Sequence, residues 1–188
     1  VFNKGRGQIL EEYKMDNVTI AKLQKTSVVI VNDIVKLFEI YNQFIRPQIK
    51  SSNTFIAYQN LTLAKPILFI KTGEVIQLVN NFEVFYLLKT VDLNQELCAE
   101  KVSIVKINEA QFEVKYAFYE LIDIICRYQK YLDIRLIYIH LNRFLTADIN
   151  QQLFSSKKFS IGTFCNLINI HEQTYYKRYK KDKNNVNY

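Results

Sequence analysis

The 188-residue sequence predicts an α+β fold: a small mixed-sheet domain over residues 26–108, followed by an all-α region that runs to the end. Three observations predict it. Short β-branched and apolar runs alternate with segments of helical spacing in the first half of the chain. From residue 109 the character changes, with no Gly or Pro over 112–145 and apolar residues recurring three and four apart. An apolar content of 49% with 14% aromatics is enough for one domain of this size to bury a core, which excludes disordered and collagen-like classes.

The elements follow in order. Residues 1–25 are read as an N-terminal extension, of which 1–14 need not pack with the rest. This stretch holds the isolated Gly5-Arg6-Gly7 motif and the Glu11-Glu12 pair, and it begins on Val1. The run TSVVIV at 26–31 is a strand, and Ile34, Leu37, Phe38, Tyr41 and Phe44 place a helix over 32–44. Arg46-Pro47 is expected to stop that helix, because proline pushes the preceding residue out of the α region, and KSSN at 50–53 is loop. A short helix follows at 54–63. ILFI at 67–70 and VIQLV at 75–79 flank the Gly-bearing KTGE and make a β-hairpin. Asn80 and Asn81 end its second strand, since Asn tolerates left-handed backbone. Residues 82–90 are helical and KVSIVKI at 101–107 is a further strand. The apolar stretch 112–145 is helix in two pieces, which either packs on the sheet domain or offers a seam for a homodimer. Residues 150–158 read as a mostly polar linker, and 151–188 as the last unit.

Charge is distributed unevenly. Lys plus Arg number 25 against 18 Asp plus Glu, a net +7, and from Lys157 onward seven cations face only Glu172 and Asp182, which is +5. The preceding 156 residues carry the remaining +2. A polyanion is the natural partner of such an end. Four Gly, two Pro, seven Ala and six Arg beside abundant Ile, Lys, Asn, Tyr and Phe are what A/T-rich coding gives, so Lys-over-Arg and the Tyr count are not credited to function. That bias points to a plasmid, phage, organelle or endosymbiont. Cys98, Cys126 and Cys165 are far apart without a CxxC, which argues against disulfides and zinc and for a reducing compartment: cytoplasm, nucleoid or organelle interior. Charges interrupt every apolar stretch short of the ~18–20 residues a spanning helix needs, so the chain is expected to be soluble.

The most informative segment is 161–180, IGTFCNLINIHEQTYYKRYK. Two helices packed across a tight turn need an apolar residue at the fourth position, a small one at the fifth, and apolar residues at the eighth and tenth. They also need a residue tolerant of positive φ at the ninth and apolar anchors at the fifteenth and nineteenth. Phe164, Cys165, Ile168, Ile170, Asn169, Tyr175 and Tyr179 fill these slots, and Ser160 is placed to cap the first helix. This is the pattern of a helix-turn-helix. Its candidate DNA contacts are His171, Gln173, Thr174, Tyr176, Lys177, Arg178, Lys180 and Lys181. Gln and Lys reach base edges in the major groove, while Arg178, Lys180, Lys181 and Lys183 suit phosphates. Taken singly, His171 reads as an exposed polar residue at a helix start, Cys165 as the small packing residue, and His140 as a helix-surface residue.

In the first domain, the order strand, helix, KPILFIKTG at 65–73, a second strand at 75–79, a helix and KVSIVKI resembles the N-terminal domain of the ParB/sulfiredoxin-like superfamily. In ParB proteins a Gln-Pro-Ile-Val-like strand, a Lys-Thr-Gly-like turn, a Tyr-Glu-Leu-like strand and a helix start with Gly-Glu-Arg-Arg follow at this spacing, and a helix-turn-helix lies beyond them. The resemblance covers roughly 26–108. It implies a nucleotide or sulfinic-acid site at the start of the 82–90 helix, but the chain has Asn81-Phe82-Glu83-Val84 there. The glycine and arginines that hold phosphate are missing, Glu83 is expected to repel a triphosphate, and Phe82 cannot act as the cysteine nucleophile of the sulfiredoxin pattern. No catalytic residue, cofactor or metal is therefore assigned. The expected function is a non-enzymatic protein that binds double-stranded DNA for partition, replication or transcription control. The alternative is an adaptor subunit of a larger assembly, with the ParB-like domain as docking surface and the basic tail on RNA or an acidic protein.

Overall fold

In the computed structural model, which describes residues 15–90 and 93–184, the chain opens on strand β1 (Met15–Thr19) and helix α1 (Ile20–Gln24). Strand β2 (Ser27–Ile30) leads into α2 (Val35–Ile40), a π-helical turn (Tyr41–Ile45), α3 (Arg46–Lys50) and α4 (Phe55–Leu63). Next come β3 (Ile67–Thr72), β4 (Val75–Leu78), α5 (Phe82–Lys89), α6 (Gln95–Ala99) and β5 (Lys101–Lys106). The rest is helical: α7 (Lys115–Tyr128), α8 (Ile134–Phe144), α9 (Ala147–Phe154), α10 (Ile161–Leu167) and α11 (Glu172–Asn184). The architecture is thus α+β, as the alternation of patterns predicts. Gly5-Arg6-Gly7 and Glu11-Glu12 lie outside the described residues.

The five strands form one mixed sheet in the order β1-β5-β3-β4-β2. The β3–β4 hairpin pairs Phe69 with Leu78 through Thr72 with Val75, and Gly73 turns it at φ 61°, a left-handed conformation that glycine adopts without a Cβ clash. β2 runs parallel to β4, and β5 parallel to β3. Asn81 ends the hairpin at φ 65° and caps α5: its Oδ1 accepts from the Val84 N–H at 3.2 Å, and its Nδ2 donates to Thr62 O at 3.1 Å.

Three local expectations are corrected. Met15–Thr19, placed in the N-terminal extension and outside the sheet domain, is a strand of the sheet; it pairs antiparallel with β5 from Met15 opposite Val105 to Thr19 opposite Lys101, and Ile20 and Leu23 just after it are buried. The five residues MDNVT, with Asp and Asn between Met and Val, give the sequence too little apolar alternation to detect a strand. Pro47 does not stop the helix either. It sits in the first turn of α3, and the preceding turn widens to the π form, which takes the backbone past the ring that would otherwise meet the carbonyl four residues earlier. Buried Ile45, Arg46 and Ile49 hold this segment against the core. Finally, the linker expected at 150–158 is in large part α9, capped by Thr146 Oγ1 on the Ile149 N–H at 3.3 Å, with Asn150 buried and donating to Leu145 O at 2.8 Å.

The pleat separates two cores. Ile67 and Phe69 of β3 pack with Leu78, Val28 and Val102 under α1 and α5 through Leu23, Val84 and Leu87. Ile70 points to the other face, into a larger core with Leu37 and Tyr41, Phe118, Leu121 and Ile125 of α7, and Ile137 and Leu141 of α8. The apolar face of 112–145 is therefore covered by the chain itself, leaving Tyr116 and Tyr119 as its exposed large side chains. Among the described residues no helix is long and apolar enough to cross a membrane.

Candidate nucleic-acid interface

α10 and α11 are two helices joined by a four-residue turn. Ser160 Oγ caps α10 by accepting the Thr163 N–H at 3.0 Å. Phe164 and Cys165 on its inner face are fully buried, as is Ile168 at its end. Asn169 then turns the chain at φ 56°, and the Ile170 N–H returns to Cys165 O at 2.9 Å, closing the helix with a left-handed cap. Tyr175 comes down from α11 as the second anchor, buried to 6% exposure. Cys165 lies where the two helices meet, and burial pushes its thiol up, away from thiolate chemistry.

This pair is anchored in the main core by aromatic rings. Tyr138 of α8 lies 5.8 Å from Phe159, 5.4 Å from Phe164 and 6.1 Å from Tyr175 between ring centroids, and its hydroxyl donates to Phe159 O at 3.2 Å. Phe159 packs in turn on Phe154 and Phe118 at 5.5 and 6.4 Å. Edge-to-face and offset contacts of this kind add to the area they bury. Burial pushes the Tyr175 hydroxyl up to about 12, so it stays neutral.

Four of the eight candidate contacts are exposed on α11. Gln173, Thr174 and Lys177 are exposed, and Tyr176 is 45% exposed with its ring edge-on to Tyr175 at 5.5 Å. His171 is exposed at the helix start, where its Nδ1 accepts the Gln173 N–H at 3.3 Å and its carbonyl accepts from Thr174 at 2.8 Å; it serves as the cap of α11. Glu172 leans back over α10: a Cβ on Gly162 would lie 2.6 Å from its Oε1. Arg178, expected to suit phosphate, has one of its donors engaged within the fold. It is half-buried, and its Nη1 donates to Gln129 O at 3.1 Å, tying α11 to the end of α7. Lys180 and Lys181 continue along α11, and their side chains lie outside the described residues.

A second polar constellation sits at the first turn of α5. Glu83 is fully buried, and its carboxylate accepts from Arg46 Nε at 2.8 Å, Arg46 Nη2 at 3.1 Å, Gln59 Nε2 at 3.0 Å and the Tyr41 hydroxyl, which itself accepts from Tyr58 at 2.9 Å. The Arg46 guanidinium lies 3.4 Å over the Tyr86 ring. Burial pulls Arg46 down, but the hydrogen bond and charge of Glu83 outweigh it and hold Arg46 above its usual range. Burial pushes Tyr41 and Tyr58 well above the ordinary tyrosine range. The repulsion expected of Glu83 is therefore corrected: its charge is met internally by Arg46 and faces no solvent. Sequence reading missed this set because Arg46 and Gln59 stand 37 and 24 residues from Glu83, with no local pattern joining them. Among the described residues no group of three or more His, Cys, Asp or Glu could hold a metal ion. No protein-family model, no curated protein and no solved structure matches this chain.

Proposed function

We propose that the chain is a non-enzymatic DNA-binding protein in which α10 and α11 act as a helix-turn-helix, serving partition, replication or transcription control. The observation that carries the reading is a coincidence of three properties in one segment. Of the helix-turn-helix slots, Phe164, Cys165, Ile168 and Tyr175 are buried and Ile170 is half-buried, with the Tyr179 side chain outside the described residues; Asn169 takes the positive φ at the turn, and the outer side of the second helix carries Gln173, Tyr176 and Lys177 where the chain's positive charge is concentrated. Lys177 and the cations after it would supply salt-dependent phosphate binding, and Gln173 and Thr174 would read base edges. The sheet unit, similar in element order to ParB-like domains, would act as scaffold.

Removing the last 32 residues would not be a clean test, because Phe159, Phe164, Ile168 and Tyr175 belong to the main core. The test is a titration of labelled duplex DNA, at two salt concentrations, with the full chain and with the exposed-face variant Gln173→Ala/Lys177→Glu. The intact chain should bind with an affinity that falls as salt rises, and the variant should lose about tenfold or more while unfolding at the same temperature. Equal affinity of the two proteins, or no salt dependence, would overturn the proposal.

A further inference from the structure

On the side of α8 away from α11, a cleft of about 210 Å³ opens between α8 and the segment made of α2 and the π turn. Buried Ile40 and Phe144 form its apolar floor. The His140 ring lies against the Phe44 ring, with centroids 4.2 Å apart and planes 26° from parallel, so His140 is packed rather than freely exposed on the helix. Lys36 and Glu39, three residues apart on α2, and Arg143, three residues beyond His140 on α8, stand at the rim. Among the described residues no ion pair engages Lys36, Glu39 or Arg143. By contrast the exposed Arg127 and Lys115 each have a carboxylate within 2.9 Å.

Lys36 and Arg143, which have no ion-pair partner among the described residues, line one apolar floor from different helices, and the low dielectric of the wall strengthens their pull on an anion. Glu39 brings the rim to a net +1 and offers an acceptor for a hydroxyl on the same ligand. The guanidinium fork of Arg143 matches two oxygens of one phosphate, and Lys36 adds a point charge opposite it. The volume is below the ~300–1,000 Å³ of pockets for drug-sized ligands, so the occupant is small. The π turn that brings Gln43 and Phe44 to the cleft is the kind of local widening that recurs at functional sites in helices.

We propose that this cleft binds a small phosphate-bearing molecule, with Arg143 and Lys36 on the phosphate and the body of the ligand on Ile40 and Phe44. The site does not rest on the DNA reading, and its test contains no DNA. Thermal unfolding of the full chain is followed with glycerol 3-phosphate and with inorganic phosphate, against glycerol and potassium chloride at matched ionic strength. At ten times the dissociation constant, a phosphate-bearing probe should raise the midpoint by about 3–6 °C. Arg143→Ser and Lys36→Gln should lose most of that rise, whereas Lys71→Gln, on the distant hairpin, should keep it. No rise with either phosphate probe, a rise matched by potassium chloride, or one that survives in Arg143→Ser would overturn the proposal.

Discussion

Replacing Glu83 by Gln is the sharpest probe of how this fold is held together. The carboxylate is at 0% exposure and receives four donors, two from Arg46 and one each from Tyr41 and Gln59. An amide keeps the shape but turns one acceptor into a donor, so whichever way it is placed, two of the four donors meet an N–H₂. It also leaves the Arg46 guanidinium, itself only 7% exposed, without its counter-charge. Breaking a buried pair in this way costs about 3–5 kcal/mol, which for a chain of this length is a fall of roughly 6–20 °C in the unfolding midpoint. Urea unfolding followed by far-ultraviolet circular dichroism measures it, since the chain has 13 Tyr and no Trp. The double variant Arg46→Met/Glu83→Leu removes both charges and should recover most of the loss, because the desolvation of both ions disappears with them. A loss below about 1 kcal/mol for Glu83→Gln would refute the view that this ion pair is an interior one whose two halves depend on each other.

Glu120 should make stability depend on pH. Burial pushes its carboxyl from the usual 4.5 up to about 7, against the pull of the Asn81 N–H at 2.6 Å, of Lys65 and of the Phe82 N–H, and with Asp123 adding to the rise. The folded state then holds the proton more tightly than the unfolded chain, so this contribution is full below about 4.5 and is lost as pH rises to 7 and beyond. Glu120→Gln should flatten that slope by up to about 3 kcal/mol, less for the exposure Glu120 retains, in denaturation at pH 4.5 and 8. Asn169→Val should cost about 1–2 kcal/mol, while Asn169→Gly should be close to neutral, because only the left-handed backbone at φ 56° distinguishes them; thermal melts of both variants check it. Arg178→Ala should lower stability by about 1 kcal/mol through its lost bond to Gln129 O, whereas Lys177→Ala should leave the melt unchanged and reduce the salt slope of DNA binding by about one.

What was legible in the sequence depended on whether its signal was local. The β3–β4 hairpin, the turn at Asn81 and the α10–α11 pair were readable because each is written in contiguous residues: Lys-Thr-Gly-Glu between apolar runs, Asn after a strand, Phe-Cys before Ile-Asn-Ile. The edge strand β1 was not, since Met15–Thr19 gains its place only by pairing with residues 101–105, more than 80 positions away. Pro47 misled because its local effect is real but was absorbed by a π turn that tertiary packing of Ile45 and Ile49 stabilises. The bond from Arg178 to Gln129 O was equally out of reach, because an arginine in a basic run gives no sign of a partner 49 residues away at the end of α7.

The helical end is not an appendage on a linker, and that bears on how it would work. Tyr138 on α8 touches Phe159, Phe164 and Tyr175, while two residues on, and therefore on the opposite side of the same helix, His140 lies on Phe44 beside the α2 cleft. Through Phe118, the same ring cluster continues into α7, whose Glu120 reaches the start of α5 on the sheet. Close-packed rings of this kind do not slide independently, so the orientation of α11 is set by the whole body of the protein. Tyr138→Ala should therefore weaken the fold by about 3–5 kcal/mol and loosen α11 at the same time, and hydrogen exchange should show the amides of 161–175 losing protection along with those of α8. If α10 and α11 were a separately folded module, the exchange of 161–175 would stay as in the unmodified chain while α8 alone opened, and the reading of one continuous body would fail.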